Sequence, residues 1–138
     1  MEKILALDYG LKRTGIAYAE SPLFIAYPLS TVYTQNLIHF LMEYISENTV
    51  KKIIVGEPKS LDGRSTDVTN SVNELKIKLN NTFPRVKIIL YDERFTSKIA
   101  MQSMIQSGVR KHKRRNKENI DKVSAAVILQ GYLQKNRV

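Results

Sequence analysis

Apolar residues in this chain fall into short runs and helical stripes that alternate along its length. Ile4, Leu5, Ala6 and Leu7 stand together with no polar interruption, the mark of a strand buried on both faces, so a first strand is expected over Met1 to Leu7. Asp8 follows at its end, and Gly10 beside it lets the backbone turn without a Cβ penalty. Ile16 to Ala19 and Tyr27 to Tyr33 read as second and third strands, separated by the Ser21-Pro22 break. From Gln35 to Thr49 the period changes. Leu37, Ile38, Leu41 and Ile45 recur at helical steps, which predicts an amphipathic helix.

Lys52 to Val55 is a further buried strand, ended by Gly56 and Pro58. The polar loop PKSLDGRST follows, and Val68, Val72, Leu75 and Leu79 mark a second helix. Val86 to Tyr91 reads as the last strand, and Thr96 is placed to cap a helix carrying Ile99, Ala100, Met104 and Ile105. Gly108 to Lys117 is basic and poor in apolar residues; a final helix starts near Glu118 and holds Ile120, Val123, Ala126, Val127 and Leu133. With no internal repeat and no interdomain linker, the order β-β-β-α-β-α-β-α-α predicts an α/β fold with a mixed sheet, in one domain spanning residues 1–138.

Composition narrows the chemistry. There are no cysteines, which removes disulfides, thiolate metal sites and cysteine nucleophiles. His39 and His112 are the only imidazoles, too few for an ordinary zinc site. No apolar run approaches the ~18 residues of a membrane span and no signal peptide precedes the first strand, so a soluble, cytoplasmic protein is expected. A net charge of +9 favours polyanionic partners, nucleic acid ahead of anionic membrane surface.

Against that basic background, a few acids stand out by position. Asp8 ends the first strand, and Asp92 and Glu93 end VKIILY. Asp121 lies in the first turn of a helix that becomes almost wholly apolar at SAAVIL. Helical steps from it reach Ala125, Ile128 and Tyr132, a face that should be buried. Each acid has an ordinary reading as well. Asp8 suits a turn, Asp92 or Glu93 can pair with Arg94, and Asp121 can complement the helix dipole. Parallel strands, however, place their carboxyl ends along one edge of a sheet. Asp8 and the Asp92/Glu93 pair can converge there if their strands are neighbours, with Asp121 approaching from a helix packed on the sheet. Such a set suits oxygen-ligated Mg²⁺ or Mn²⁺, and two such ions promote phosphodiester hydrolysis. The combination reads as a nuclease.

Five segments in order, DYGLKRTGIA, VGEPKSLDG, YDERFTS, GVRKHKRRNKENID and DKVSAAVILQGYL, resemble the YqgF/RuvX family of Holliday-junction-resolvase-like nucleases. They span nearly the whole chain. The resemblance implies a ribonuclease H-like fold, with a five-stranded mixed sheet flanked by helices. It also implies that Asp8, Glu93 and Asp121 form an acidic, metal-binding and catalytic triad, and that Gly10, Arg13 and Gly15 belong to a D-x-G-x-x-R-x-G signature. Further implied are maturation of the 5′ end of 16S ribosomal RNA, with pre-ribosomal RNA as substrate, or alternatively resolution of branched DNA. Ser124 departs from the pattern, standing where alanine or another small residue is usual; Tyr9 and Thr14 are local variants.

Several cations are then candidates for nucleic-acid binding. Arg13, in the turn leaving the first strand, suits a non-bridging phosphate oxygen because a guanidinium offers a fork of donors. Lys59 and Arg64, with Ser65 and Thr66, are donors in a polar loop, and Arg94 is either a further contact or the partner of Asp92. The run RKHKRRNK supplies Arg110, Lys111, Lys113, Arg114, Arg115 and Lys117 immediately before Asp121, placed to guide a strand toward the acids. Tyr91, Phe95 and Tyr132 are candidates for base stacking but fit the core at least as well. Two other classes compete with the nuclease. An actin-like ATPase would need a second phosphate loop, which the sequence lacks; a non-catalytic RNA-binding module explains the charge but not three acids beside it.

Overall fold

The computed structural model describes residues 2–57, 67–92 and 117–136. Among them are the strands β1 (Glu2–Tyr9), β2 (Arg13–Glu20), β3 (Tyr27–Tyr33), β4 (Thr49–Glu57) and β5 (Lys87–Asp92). The helices are α1 (Leu37–Glu47), α2 (Asp67–Thr82) and α3 (Lys117–Asn136), with a 3-10 turn at Thr34–Asn36 leading into α1. The strands form one sheet in the order β3-β2-β1-β4-β5. β1, β2 and β3 pair antiparallel, whereas β4 lies parallel to β1 and β5 parallel to β4. This is the mixed sheet expected from the pattern. The helix expected after Thr96 lies outside the described residues.

Element boundaries differ from the expected ones wherever backbone pairing, rather than side-chain burial, decides them. β2 begins at Arg13, not Ile16, because Thr14 and Gly15 pair with Tyr9 and Asp8. Arg13 and Gly15 are therefore strand residues, not part of the turn. β4 continues through Gly56 and Glu57, which pair with Tyr91 and Asp92. The first helix starts two residues late, behind the 3-10 turn, and ends before Thr49, which opens β4 beside Glu2. Asn48 closes that helix: its Nδ2 donates to the Tyr44 carbonyl at 3.0 Å, and its Oδ1 accepts from Lys3 Nζ at 2.7 Å.

Two apolar layers cover the sheet. On one face Leu5, Leu7, Ile16, Ile53 and Val55 pack under Leu37 and Leu41 of α1 and Val72, Leu75 and Leu79 of α2. On the other face Ile4, Ala6, Ala17, Ala19 and Ile54 meet Ala125, Ile128, Leu129, Tyr132 and Leu133 of α3. The alanines let α3 sit close over β1 and β2. Ala125, Ile128 and Tyr132 are indeed the buried face predicted by counting from Asp121. Each fully buried Leu or Ile contributes ~1.5–3 kcal/mol, against the ~0.5–1 kcal/mol a glycine costs inside a strand. The core therefore outweighs the glycines that β2 and β4 carry at the site.

The last turns of α3 fix its direction. Gln130 Oε1 accepts from the Ala26 backbone N–H at 3.2 Å, and the Tyr132 hydroxyl accepts from Lys52 Nζ at 3.3 Å. Ala26 immediately precedes β3, and Lys52 lies in the amino-terminal half of β4, level with Lys87 at the start of β5. Position 121 lies about 16 Å back along the helix, at ~1.5 Å per residue. The helix thus starts toward the edge where β1, β4 and β5 end. Tyr91 packs edge-on against Tyr132, with ring centroids 6.4 Å apart, so both tyrosines belong to the core layer.

Candidate active site

Because β1, β4 and β5 are parallel, their carboxyl ends share one edge. Asp8, half-buried, is the penultimate residue of β1. Leu5 and Leu7 face α1 and α2 while Ile4 and Ala6 face α3, so alternation puts Asp8 on the α3 side. Its partner across β2 is Gly15. On its other flank Leu7 pairs with Val55 and, one step further, Gly56 pairs with Tyr91. Asp8 therefore sits on a cross-sheet row with a buried glycine on each side. Neither neighbour adds a side chain beside the carboxylate.

The turn after β1 is held in place by Thr34, the first residue of the 3-10 turn that follows β3. A Cβ on Gly10 would lie 2.5 Å from the Arg13 carbonyl oxygen, so only glycine closes this turn. The Thr34 hydroxyl donates to the Gly10 carbonyl at 2.6 Å and lies 3.0 Å from the Thr14 hydroxyl, and the Thr34 N–H donates to the Lys12 carbonyl at 2.9 Å. Thr14 is fully buried. These threonines carry no sequence signal of their own. Their role follows from β3 returning beside β2.

The condition that the strands carrying Asp8 and the Asp92/Glu93 pair be neighbours is not met. β1 and β5 are not neighbours: β4 lies between them, because successive crossovers step outward while β2 occupies the other side of β1. Two strand spacings, ~10 Å, separate Asp8 from the end of β5. Any acid there has to reach across β4, and the residue of β4 on that row is Gly56. Asp92 closes β5 opposite Glu57. Position 121 belongs to the start of α3, four residues before the buried Ala125.

Glu93 and Arg94 lie outside the described residues, as do Phe95, Lys59, Arg64, Arg110, Lys111, Lys113, Arg114 and Arg115; Lys117 is the first residue of α3. Arg13 opens β2 opposite Tyr33. Among the described side chains no three acids or imidazoles form a metal-holding group, and of the proposed triad only the side chain of Asp8 is described. What surrounds Asp8 fits a hard divalent cation. It offers an oxygen donor flanked by glycines. One turn after Asp121, the buried Ser124 hydroxyl has no hydrogen-bond partner among the described residues.

The strand order, the parallel carboxyl edge and the helices on both faces define the ribonuclease H-like class of α/β proteins. Solved structures share it. A fowlpox virus Holliday junction resolvase superposes with a TM-score of 0.58 at 10% identity, over 97% of this chain and 99% of its own. Thermus thermophilus RuvC, in complex with Holliday junction substrate, gives 0.58 at 11% identity over 97% and 96%. At such identities the likeness is one of fold. A sequence model of the RuvX family, described as Holliday junction resolvase, matches residues 2–135, and the chain belongs to that family. A relative in Flavobacterium johnsoniae is 43% identical over 99% of both chains, and one in Bacteroides thetaiotaomicron 38% identical over 99% of both. Both bear the name "Putative pre-16S rRNA nuclease". Among the described residues no helix is long and apolar enough to cross a membrane.

Proposed function

We propose that this chain is a divalent-metal-dependent endonuclease that processes the 5′ end of the 16S ribosomal RNA precursor in the cytoplasm, with residues 1–138 acting as a single nuclease domain. The observation that carries the reading is Asp8 on the parallel edge of the sheet, between Gly15 and Gly56. Family membership and the names of full-length relatives supply the substrate class. In this reading Asp8, Glu93 and Asp121 hold Mg²⁺ or Mn²⁺. Odd-numbered Ile89 and Tyr91 belong to the α3 layer while Ile88 and Leu90 belong to the other, and this parity favours Glu93 over Asp92.

The bound ion supplies Lewis acidity toward the scissile phosphate. Asp8 would hold the ion at the floor of the site, and the flanking glycines allow a phosphate to approach it closely. Arg13, at the same end of the sheet, holds a non-bridging oxygen. Arg110 to Lys117 draw the polyanion in, and Lys59, Arg64 and Arg94 add backbone contacts. Unmetallated carboxylates would repel the same phosphate, which separates this reading from a non-catalytic RNA-binding module.

A second reading, resolution of branched DNA, is favoured by the family description and by the two junction-resolvase folds. The deciding experiment incubates purified protein and Mn²⁺ with a pre-16S 5′ leader RNA and with a four-way DNA junction. Cleavage of the RNA alone, abolished by Asp8→Asn, is the expected result. Cleavage of the junction alone transfers the assignment to DNA, and cleavage of neither leaves the binding module.

A further inference from the structure

We infer that a cleft at the outer edge of the sheet is a base-stacking subsite for single-stranded nucleic acid, with Tyr33 as its platform. This rests on the nuclease reading and extends it to substrate lying further along the same edge of the sheet. β3 is an outer strand that runs parallel to β1, so Tyr33 ends it at the same edge as Asp8. Thr31, in the wall of the cleft, pairs with Gly15, which pairs with Asp8. The backbone of Thr31 therefore lies about two strand spacings, ~10 Å, from that of Asp8, and the α1 walls of the cleft stand across the sheet from the α3 side that Asp8 faces. Its volume is about 330 Å³, and its walls include Arg13, Tyr33, Asn36, His39, Phe40 and Glu43.

Size and chemistry select the occupant. The volume is at the small end of ligand sites, ~300–1,000 Å³, and suits one nucleobase. Tyr33 ends a strand yet is 55% exposed, a large aromatic surface left uncovered. Phe40 is held as a fixed wall by stacking on Tyr44, with centroids 6.1 Å apart and planes at 14°. Charge is distributed unevenly. Arg13 lies on the strand next to β1, whereas Glu43, 3.0 Å from His39, lies on α1. A carboxylate on the helix side disfavours a phosphate inside the cleft. The base enters, its phosphate stays toward Arg13, and the Asn36 amide is available to the base edge. The net charge of +9 favours such a polyanion. Strand addition by another protein chain is less suited to this edge, because Pro28 removes a ladder donor from β3.

The test measures metal-free binding by fluorescence anisotropy, at fixed salt, of two labelled probes about eight nucleotides long. One is oligoadenylate; the other is an abasic oligomer with the same phosphates and no bases. Tyr33→Ala should weaken oligoadenylate binding about 5- to 150-fold, the range for loss of one stacked base, and leave the abasic oligomer unchanged. Tyr33→Phe should stay within about twofold of wild type on both. Tyr33→Ala that binds oligoadenylate as wild type does, or that weakens both probes equally, overturns the subsite. So does a dimer in sedimentation that Tyr33→Ala dissociates, since the cleft would then belong to a second copy. Tyr33-dependent binding in a protein that cleaves no nucleic acid overturns the nuclease reading and leaves the subsite standing.

Discussion

Asp8 and Gly15 face each other across the antiparallel pair β1–β2, and Gly15 contributes no side chain to the α3 side of that pair. A methyl group there would stand next to the carboxylate, in the space that the proposed function assigns to a cation and a phosphate. Gly15→Ala should therefore slow cleavage about tenfold or more, an effect of misplacement in the site. Melting temperature should change little, because alanine suits a strand at least as well as glycine. Cleavage at the wild-type rate would mean that Gly15 serves packing alone.

Asp8→Asn keeps the size of the side chain and removes its charge. For wild type, Mn²⁺ at a hundred times its Kd should stabilise the fold by about 2.7 kcal/mol, which raises Tm by about 5–10 °C in a domain of this length. Without metal the variant should melt at or slightly above the wild-type temperature; with Mn²⁺ it should gain almost nothing. An equal rise in both proteins would return Asp8 to the role of a turn residue.

The Thr14–Thr34 hydroxyl pair predicts a non-additive double variant. Thr34→Val leaves the fully buried Thr14 hydroxyl without its 3.0 Å partner, which should cost about 1–3 kcal/mol in urea unfolding. Adding Thr14→Val should recover part of that stability, since two apolar groups side by side leave nothing unpaired, and Thr34→Ser should cost little. Additive effects in the double variant would show that the two hydroxyls are not coupled.

Replacing Arg110, Lys111, Lys113, Arg114, Arg115 and Lys117 with glutamine should flatten the dependence of log K on log salt by about 0.7–0.9 unit for each phosphate no longer neutralised. Unfolding free energy should hardly move, because exposed charges contribute little to it. The same slope in variant and wild type would exclude the run from the binding surface.

Much of this was legible along the chain. The uninterrupted ILAL run marked β1 as a central strand, and the helical period marked α1, α2 and the buried face of α3 through Ala125, Ile128 and Tyr132. Apolar periodicity reports burial, and burial is what fixes those elements. The position of Asp8 at the end of β1 was equally visible, since a carboxylate after a buried run has to lie at the strand's end.

Only the tertiary structure decided what stands beside Asp8. Strand order inserted β4 between β1 and β5, and register put Gly15 and Gly56 on the Asp8 row and Thr34 against Gly10 and Thr14. These relationships are set by backbone hydrogen bonds between segments far apart in sequence. Backbone bonds are the same whatever the side chain, so pairing leaves no periodic trace. A glycine, having no side chain, leaves the least trace of all.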